Sequence, residues 1–277
     1  MKRIGILYHP KIEGACSLAK KLEEFLSSKG VSVWLCSAWE GEKAKAQVND
    51  TDLILSIGGD GTILRAAQVV VPRPIPITGI NLGKLGFMTE LGADEAVAKL
   101  PALLAGEGWI DERALLEAEL SAPGKELPSI FYALNDVVVA RGAVARLIHI
   151  EASIDDERLT TYKADGVIVA TATGSTGYSL AAGGPILHPL AKELVMVPIV
   201  PHLSSAYALV LPSTAVVKLR VDTTHQATLC VDGHINLTLN NGVVVTVKHS
   251  SDTARFLRIH PRASFYGSLE QRLKGKH

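Results

Sequence analysis

The stretch DLILSIGGDGTILRAAQ, residues 52–68, most narrows what this chain can fold into. Its apolar run is typical of a buried strand. The run ends at Gly58-Gly59-Asp60-Gly61-Thr62, and a helical pattern then continues to Val70. A strand that leads directly into a helix is the building unit of a parallel, doubly wound sheet. Because such sheets bind ligands where their strands end, the glycine cluster is a candidate binding loop.

The rest of residues 1–113 repeats this alternation of strands and helices. Apolar runs predict strands near residues 3–8, 31–36, 52–57 and 74–81, and helical periodicity falls on residues 17–28, 62–70 and 93–107. Gly30, just after the first helical segment, is a candidate C-cap. We therefore expect an α/β domain with a parallel, doubly wound sheet over residues 1–113.

From about residue 114 the chain consists of short, often alternating apolar runs with little helix between them. Alternation with a period of two indicates strands that are buried on one face. Asn240-Asn241-Gly242 stands between two of these runs and predicts a hairpin turn. Residues 114–256 are therefore expected to form a mainly antiparallel β domain.

Composition and charge argue against several kinds of partner. The 277 residues include 28 Lys or Arg and 28 Asp or Glu, so no overall field draws the chain to nucleic acid or an anionic membrane. No segment approaches the ~20 apolar residues of a membrane span. Neither nucleic acid nor a membrane is therefore an expected partner.

The cysteines and histidines do not form a metal or disulfide pattern. Cys16, Cys36 and Cys230 are odd in number, far apart and without a Cys-x-x-Cys pair, which favours a reducing cytoplasm. His188 and His202 each stand beside a proline and lack the spacing of zinc ligands. We therefore expect no metal that is held by the protein alone.

The glycine cluster suits phosphate chemistry. Glycines let backbone N–H groups approach a phosphate closely, and the helix N-terminus that follows favours anions. Holding a phosphate needs no carboxylate, so Asp60 fits better as a base for a hydroxyl or as a contact to magnesium beside the phosphates. The structural alternative is that Asp60 or Thr62 only caps the helix.

Three common signatures are missing from the sequence. It contains no Gly-x4-Gly-Lys-Ser/Thr P-loop, no Gly-x-Gly-x-x-Gly at the start of the first helix and no Gly-x-Ser-x-Gly elbow. Hydrolase and ordinary dehydrogenase functions are therefore disfavoured.

A second cluster lies in YKADGVIVATATGSTGYSLAAGGPILHP, residues 162–189. The predicted strand Val167–Ala170 runs into a turn in which Thr173, Ser175 and Thr176 present hydroxyls and glycines expose amides. Such a turn suits a ligand rich in ribose hydroxyls and amide edges. The alternative is an ordinary polar turn of a β domain.

At this point the sequence resembles the NAD kinase family, which phosphorylates the 2′-hydroxyl of the adenosine ribose of NAD to give NADP. The resemblance covers nearly the whole chain and rests on GGDGT, NLGKLGF, LNDVVVARG, the residue 164–189 stretch, PIVPH and VDGH, in this order. GGDGT alone also resembles lipid kinases and phosphofructokinases. Its combination with the second cluster is specific.

The resemblance implies roles for individual residues. Asp60 would be the general base, with Gly61 beside it at the NAD site. Asn135 and Asp136 would contact the dinucleotide. Without the resemblance, these two residues would be interpreted as a turn pair before a strand. Lys163 and Asp165 would reach the nicotinamide half, partly across a subunit boundary, although alone they read as a surface ion pair.

Further positions follow from the same resemblance. The adenine and ribose would be held by Thr173, Thr176, Gly177, Tyr178, Ser179, Leu180 and Ala181, the phosphates by Gly58, Gly59, Gly61 and Thr62, and two further contacts would come from Arg146 and His234. Tyr178 would pack on the ligand. The alternative for Tyr178 is a half-buried aromatic residue with a hydrogen-bonded hydroxyl.

The chain departs from the family pattern at four positions. Ala172 replaces a common proline and Gly177 a usual alanine. Tyr207 stands where arginine is frequent, which removes a phosphate-binding charge, and Lys163 in place of arginine loses bidentate geometry. None of these changes affects the proposed base.

The resemblance also implies an assembly and its ligands. NAD and ATP would be substrates, magnesium would arrive with the nucleotide, and the protein would be a homodimer or homotetramer. Residues 257–277 would return to the first domain, and the site would lie in the cleft where Asp60 and Thr173–Ala181 converge. Two rival functions are a lipid or sugar kinase with the same glycine loop and a non-catalytic dinucleotide-binding sensor.

Overall fold

A computed structural model describes residues 1–83, 86–121, 130–142, 147–200, 207–223, 225–262 and 265–274. The chain divides into two compact units, the first made of Met1–Glu112 with Thr253–His277 and the second of Arg113–Asp252. Its elements are, in chain order, β1 (Arg3–Tyr8), α1 (Ala15–Ser28), β2 (Ser32–Ser37), α2 (Gly41–Lys45), β3 (Leu53–Ile57), α3 (Asp60–Val70), β4 (Ile77–Asn81), β5 (Leu91–Gly92), α4 (Ala93–Leu104), β6 (Trp109–Ser121), β7 (Ile130–Ala133), β8 (Asp136–Arg141), β9 (Ile148–Ile154), β10 (Glu157–Ala164), β11 (Gly166–Ala170), a 3-10 turn (Gly174–Thr176), α5 (Tyr178–Ala181), β12 (Leu194–Ile199), β13 (Leu209–Leu211), β14 (Val216–Asp222), β15 (Ala227–Val231), β16 (Ile235–Leu239), β17 (Val244–Arg258) and α6 (Phe265–Lys274).

The first unit contains the predicted parallel sheet. Strands β2, β1, β3 and β4 pair side by side in this order, with β5 next to β4, and all of these pairs are parallel. Strands β3 and β4 are buried along their whole length, as their continuous apolar runs predict for a parallel sheet. The strand order reverses at β1, because the chain goes to β2 on one side and to β3 on the other.

Helices α1, α3 and α4 form where the periodicity predicted them, whereas α2 and α6 were not predicted. Helix α1 buries Ala15, Ala19, Leu22 and Leu26, which recur every three or four residues and face the sheet. Helix α1 ends at Ser28, and its C-cap residue is Lys29 rather than the predicted Gly30. Gly30 follows the C-cap with a φ of 77°, which suits glycine. Helix α3 starts at Asp60, two residues before the predicted start.

The second unit is the predicted antiparallel β domain. One sheet runs in the order β10, β9, β14 and β17, and the other in the order β13, β12, β11, β8, β15 and β16. Residues of both sheets share one hydrophobic core, for example Val137 and Val139 of β8 with Ile150 and Ala152 of β9. This arrangement is typical of a β-sandwich.

The hairpin prediction at Asn240-Asn241-Gly242 is wrong. Strand β16 before this turn pairs with β15, whereas β17 after it pairs with β14 in the other sheet. The turn residues bond to the β14 side instead, since Gly242 N–H donates to Val221 O at 2.8 Å and Thr223 N–H to Asn241 Oδ1 at 2.9 Å. The turn therefore carries the chain from one sheet to the other.

Two further features concern the helices and the cysteines. No helix in the described part of the chain has both the length and the apolar character of a membrane span. Cys16, Cys36 and Cys230 are free thiols.

Candidate functional site

The glycine loop lies at the end of β3, next to the strand at which the sheet order reverses. His9, just after β1, donates its backbone N–H to Ile57 O at 2.9 Å and so joins the ends of β1 and β3. Gly58 has a φ of 151°, and a Cβ atom there would lie 3.0 Å from Thr62 Cβ and overlap the Thr62 hydroxyl. Close packing therefore requires glycine at this position.

Helix α3 begins without a side-chain cap. Gly59 is its N-cap residue, so the alternative in which Asp60 or Thr62 caps the helix is wrong. Thr62 is buried, and its Oγ1 has no hydrogen-bond partner among the residues that the structure describes. Because first-turn N–H groups have no acceptor within a helix, the loop offers donors and a positive helix end to an anion.

A segment after β4 holds the Asp60 carboxylate. Oδ2 accepts a hydrogen bond from Phe87 N–H at 2.8 Å, and Oδ1 accepts one from Met88 N–H at 3.1 Å. A Cβ atom at Gly86 would lie 2.7 Å from Asp60 Cγ, so this close approach requires glycine. Since each carboxylate oxygen can accept twice, two acceptor positions remain for a substrate hydroxyl or a cation.

Cationic and aromatic side chains surround the same end of the sheet. The Arg65 guanidinium carbon lies 4.2 Å from the ring centre of Trp39, and the ring of His9 meets Trp39 edge-on at a centroid distance of 4.2 Å. Burial lowers the pKa of His9, and the charges of Arg65 and Lys11 lower it further. The histidine is therefore neutral at pH 7 beside a positive potential that favours anions.

In the second unit, Asp232 organises the turn that contains Asn135 and Asp136. Its carboxylate accepts backbone N–H bonds from Leu134 at 2.9 Å, Asn135 at 2.7 Å and Asp136 at 3.2 Å. Asn135 Oδ1 is buried and has no partner among the described residues. Asn135 lies in the turn before β8, as the structural alternative holds, whereas Asp136 is already the first residue of that strand. The turn also contains the unpartnered acceptor Oδ1 of Asn135.

Asp136 is an unusual acid because it is only 5% exposed. Burial raises the pKa of Asp136 to about 7, and repulsion by Asp232 contributes to the shift. Below this pH the side chain is a neutral acid, which can donate a hydrogen bond as well as accept one.

The Thr/Gly/Ser-rich loop is built against Asn135. The Thr171 N–H donates to Asn135 O at 2.9 Å, and the Thr171 hydroxyl donates to Leu134 O at 2.6 Å. A Cβ atom at Gly174 would lie 2.7 Å from Asn135 Cα, so glycine permits this contact. The loop and the Asn135 turn therefore form one rigid assembly.

The hydroxyls of this loop are not all available to a ligand. Ser175 is fully buried, and its hydroxyl donates to Ala172 O at 2.6 Å, so the expectation that it presents a hydroxyl is wrong. The Thr176 hydroxyl donates to Thr173 O at 3.2 Å, and Arg113 donates to Thr173 Oγ1 at 3.4 Å. Both threonine oxygens keep a lone pair that can accept a further bond.

The residues that follow differ in exposure. Tyr178, at the start of α5, is 49% exposed, and its hydroxyl has no hydrogen-bond partner among the described residues, although the alternative required one. Gly177 and Ala181 are also exposed, and Leu180 is half-buried. Ser179 is fully buried, and its Oγ finds no hydrogen-bond partner in the described ranges.

Asp165 forms its ion pair with Arg141 and not with Lys163, which the surface alternative gave as its partner. The Arg141 Nε lies 2.8 Å from Asp165 Oδ1. Lys163 is exposed on β10 and joins no ion pair with any residue that the structure describes. The predicted surface pair between Lys163 and Asp165 is therefore wrong.

His234 and His188 each contact a backbone group through Nδ1. His234 Nδ1 lies 2.9 Å from Asp232 O, and His188 Nδ1 accepts the Leu190 N–H at 3.2 Å. Arg146 and His202 lie outside the described residues. Within the described ranges, no group of three or more His, Cys, Asp or Glu side chains could hold a metal ion.

Sequence reasoning missed two parts of these sites. The amides of Phe87 and Met88 carry no side-chain signal, although the glycine before them in NLGKLGF marks a close backbone approach. The turn at Asp232 could have been predicted from the sequence, because Asp-Gly between two apolar runs is a strong hairpin pattern.

The two units thus carry, separately, a glycine loop with an amide-held carboxylate and a β-sandwich with buried, unpartnered acceptors. This combination defines a nucleotide-binding protein with groups that suit phosphoryl transfer. Residues 4–108 match the family model of the ATP-NAD kinase N-terminal domain, and residues 134–259 match that of the C-terminal domain. The chain belongs to the ATP-NAD kinase family.

Individual relatives agree with the family models. An NAD kinase of Dehalococcoides mccartyi is 50% identical over 276 residues, which cover 100% of this chain and 97% of the relative. An NAD kinase of Chloroflexus aurantiacus is 42% identical, and the match covers 99% of this chain and 99% of that relative.

Two solved structures share the fold. Yeast NADH kinase complexed with NADH has a TM-score of 0.84 and 26% identity, with 98% of this chain and 87% of that chain covered. An NAD kinase from Archaeoglobus fulgidus in complex with ATP has a TM-score of 0.77 and 28% identity, with 98% of each chain covered.

Proposed function

We propose that this chain is an NAD kinase, which transfers the γ-phosphoryl group of ATP to the 2′-hydroxyl of the adenosine ribose of NAD. The products are NADP and ADP. The observation that carries the proposal is the Asp60 carboxylate, which two backbone amides fix at the end of a parallel strand beside the glycine loop. The full-length similarity to NAD kinases supports it independently.

Asp60 acts as the general base. An alcohol is a poor nucleophile, and a positioned carboxylate that accepts its proton helps it to attack the γ-phosphorus in line with the leaving ADP oxygen. The O–P bond to ribose forms as the bond to ADP breaks, and the hydroxyl proton passes to Asp60. The two amide bonds keep the carboxylate in one orientation while its other lone pairs face the substrate.

The second unit supplies most of the contacts to NAD, and Gly61 belongs to the first unit. Asn135 Oδ1 and Ser179 Oγ are buried without partners in the described part of the chain, and such groups gain most from a ligand donor. The exposed ring of Tyr178 offers an apolar surface to a base or a ribose. The remaining contacts are Gly61, Asp136, Arg146, Lys163, Asp165, Thr173, Thr176, Gly177, Leu180, Ala181 and His234.

The donor phosphates bind at the N-terminus of α3. Backbone amides of Gly59 and Gly61 and the hydroxyl of Thr62 provide donors there. The predicted donor Gly58 is excluded, because its N–H already donates to Ile80 O at 2.8 Å. The nearby charges of Arg65 and Lys11 act in the same direction, as their effect on His9 indicates.

Magnesium accompanies the nucleotide in this proposal. No ready-made cluster of ligating side chains exists among the described residues, which fits an ion held mainly by phosphates and water. Asp60 is the carboxylate with acceptor positions to spare beside the glycine loop. The ion, when bound, would neutralise charge on the transferred phosphoryl group.

The working form is a homodimer or homotetramer in the cytoplasm. The exposed position of Lys163 and the partial exposure of Asp165 suit contacts to a ligand that a neighbouring subunit shares. Free thiols at all three cysteines suit a reducing compartment.

A direct assay tests the proposal. The purified protein with magnesium and NAD is incubated with ATP, another nucleoside triphosphate or polyphosphate, and NADP is measured. We expect NADP with at least one donor and no phosphorylation of lipid or sugar alcohols. Phosphorylation of those alcohols alone would favour the rival kinase, and dinucleotide binding without any NADP would favour a sensor.

Asp60→Asn tests the role of the base. Turnover should fall by roughly two to four orders of magnitude, because the amide cannot accept the proton, while NAD binding survives. Calorimetric titration with NAD beside the NADP assay separates the two effects. Unchanged turnover would contradict the proposed role of Asp60.

A further inference from the structure

Helix α6 contacts the segment that holds Asp60. The Arg272 Nη1 donates to Gly86 O at 2.6 Å, and the Arg272 guanidinium carbon lies 5.9 Å from the ring centre of Phe87. The Arg272 Nε also donates to Ser268 Oγ at 3.1 Å on the same helix. The guanidinium is therefore fixed between its own helix and the Gly86 carbonyl.

A single peptide group joins Arg272 to Asp60. The carbonyl of the Gly86–Phe87 peptide accepts from Arg272, and the N–H of the same peptide donates to Asp60 Oδ2 at 2.8 Å. Because a peptide group is planar, a bond that fixes its C=O also fixes the direction of its N–H. A charged donor on the carbonyl also polarises the peptide, which strengthens the N–H as a donor.

A second arginine secures the next part of the segment. Arg258 Nη1 donates to Met88 O at 2.8 Å and its guanidinium pairs with Asp111 and Glu90. Arg258 is only 6% exposed, so its removal would leave buried carboxylates without a partner. Arg272 is half-buried on α6, so it is the more suitable of the two arginines for substitution.

We propose that Arg272 is a positioning residue for phosphoryl transfer, which acts on Asp60 through the Gly86–Phe87 peptide. The inference rests on the proposed role of Asp60 as the base. Without Arg272 the peptide can rotate, and the carboxylate loses its fixed direction toward the ribose hydroxyl. Substrate binding does not depend on this contact, so the loss falls on turnover.

The first test compares Arg272→Ala with Arg272→Lys and a matched control. Arg262 lies in the same C-terminal segment, is exposed and stacks on Trp109 at 4.7 Å, so Arg262→Ala removes an arginine that does not contact the 86–88 segment. We expect Arg272→Ala to lower kcat roughly 10- to 30-fold, with KM for NAD and ATP within about twofold. Arg272→Lys, which keeps one donor, should recover part of kcat, and Arg262→Ala should match the unmodified protein.

A double-mutant cycle separates positioning from a general structural effect. In the Asp60→Asn background, Arg272→Ala should lower the residual turnover less than about twofold, because the group that it positions is already inactive. An equal loss in both backgrounds would overturn the proposal, as would an unchanged kcat in Arg272→Ala alone. Thermal midpoints of all variants check that each is folded.

Failure of this inference can be told apart from failure of the proposed function. If the unmodified protein makes no NADP, or if Asp60→Asn retains full turnover, the proposed function or base is wrong. If both behave as proposed and Arg272→Ala has the kcat of the unmodified protein, only the role of Arg272 is wrong.

Discussion

The half-buried Asp60 and the buried Asp136 have opposite relations to the backbone amides near them. Asp60 receives two backbone amides from the 86–88 segment. Asp136 lies deeper, and the three amides around it donate to its neighbour Asp232 instead. Backbone amides stabilise a carboxylate charge, whereas burial beside another carboxylate opposes it. The difference shows that a buried aspartate favours its neutral form where the nearby amides point at a neighbouring carboxylate instead.

The largest expected effect comes from neutralising Asp232. In Asp232→Asn, one acceptor becomes an NH₂ group that faces a backbone donor, so unfolding free energy should fall by about 3 kcal/mol. Asparagine tolerates the φ of 49° at this position, which isolates the loss of the acceptor from backbone strain. Urea denaturation measures the change.

Asp155→Asn is the matched control for Asp232→Asn. Asp155 has a φ of 50°, is exposed and accepts one amide, from Val216 at 2.9 Å. Its substitution should cost less than about 1 kcal/mol. Similar small losses at both positions would mean that Asp232 does not organise the turn.

A pH-dependent effect is expected at Asp136. Its pKa is raised from 3.8 to about 7, so its contribution to stability is complete below the lower value and is lost as pH rises through about 7. Asp136→Asn lacks this loss. The difference in unfolding free energy, variant minus unmodified protein, should therefore increase by about 2–3 kcal/mol from pH 5 to pH 8.

Urea denaturation at both pH values checks this prediction. Asp222→Asn serves as the control for the Asp-to-Asn change itself, since Asp222 is exposed at the end of β14. A difference for Asp136→Asn that stays constant with pH would contradict the neutral-acid interpretation.

The smallest expected effect concerns the fit around Asp60. Gly86→Ala places a Cβ atom against the carboxylate, which must then move away from its two amides. Turnover should fall roughly 10-fold, with little change in either KM, because the base is displaced rather than removed. Gly83→Ala, in the same loop with open space at its Cβ, should leave turnover unchanged, and equal effects would show a general loss of loop structure.

The sequence predicted the fold well where the signal is local. The continuous apolar runs of β3 and β4 predicted buried parallel strands, and the alternating runs after residue 113 predicted a mainly antiparallel β domain. The Asn240-Asn241-Gly242 pattern predicted a hairpin wrongly because it reports only that the chain turns. Which strands pair after the turn depends on the sheet in which each strand buries its apolar face.

The candidate sites were predictable only in part. Asp60 and Asn135 stand in recognisable motifs, but the partners of Asp60 are backbone amides 27 and 28 residues away. The contact between Arg272 and Gly86 spans 186 residues, so no local pattern could indicate it. Asp165 was assigned to a neighbour in sequence, although Arg141 on an adjacent strand has the better geometry.

The titration of Asp136 has a consequence for how ligands are measured. An acid with a pKa of about 7 exchanges protons with the medium whenever a bound molecule prefers one of its two forms. A ligand that accepts a hydrogen bond from Asp136 draws a proton in, and one that donates to it expels one. Where a dinucleotide contacts Asp136 as proposed, its heat of binding will differ between buffers of different ionisation enthalpy. The sign of that difference reveals the direction of the hydrogen bond.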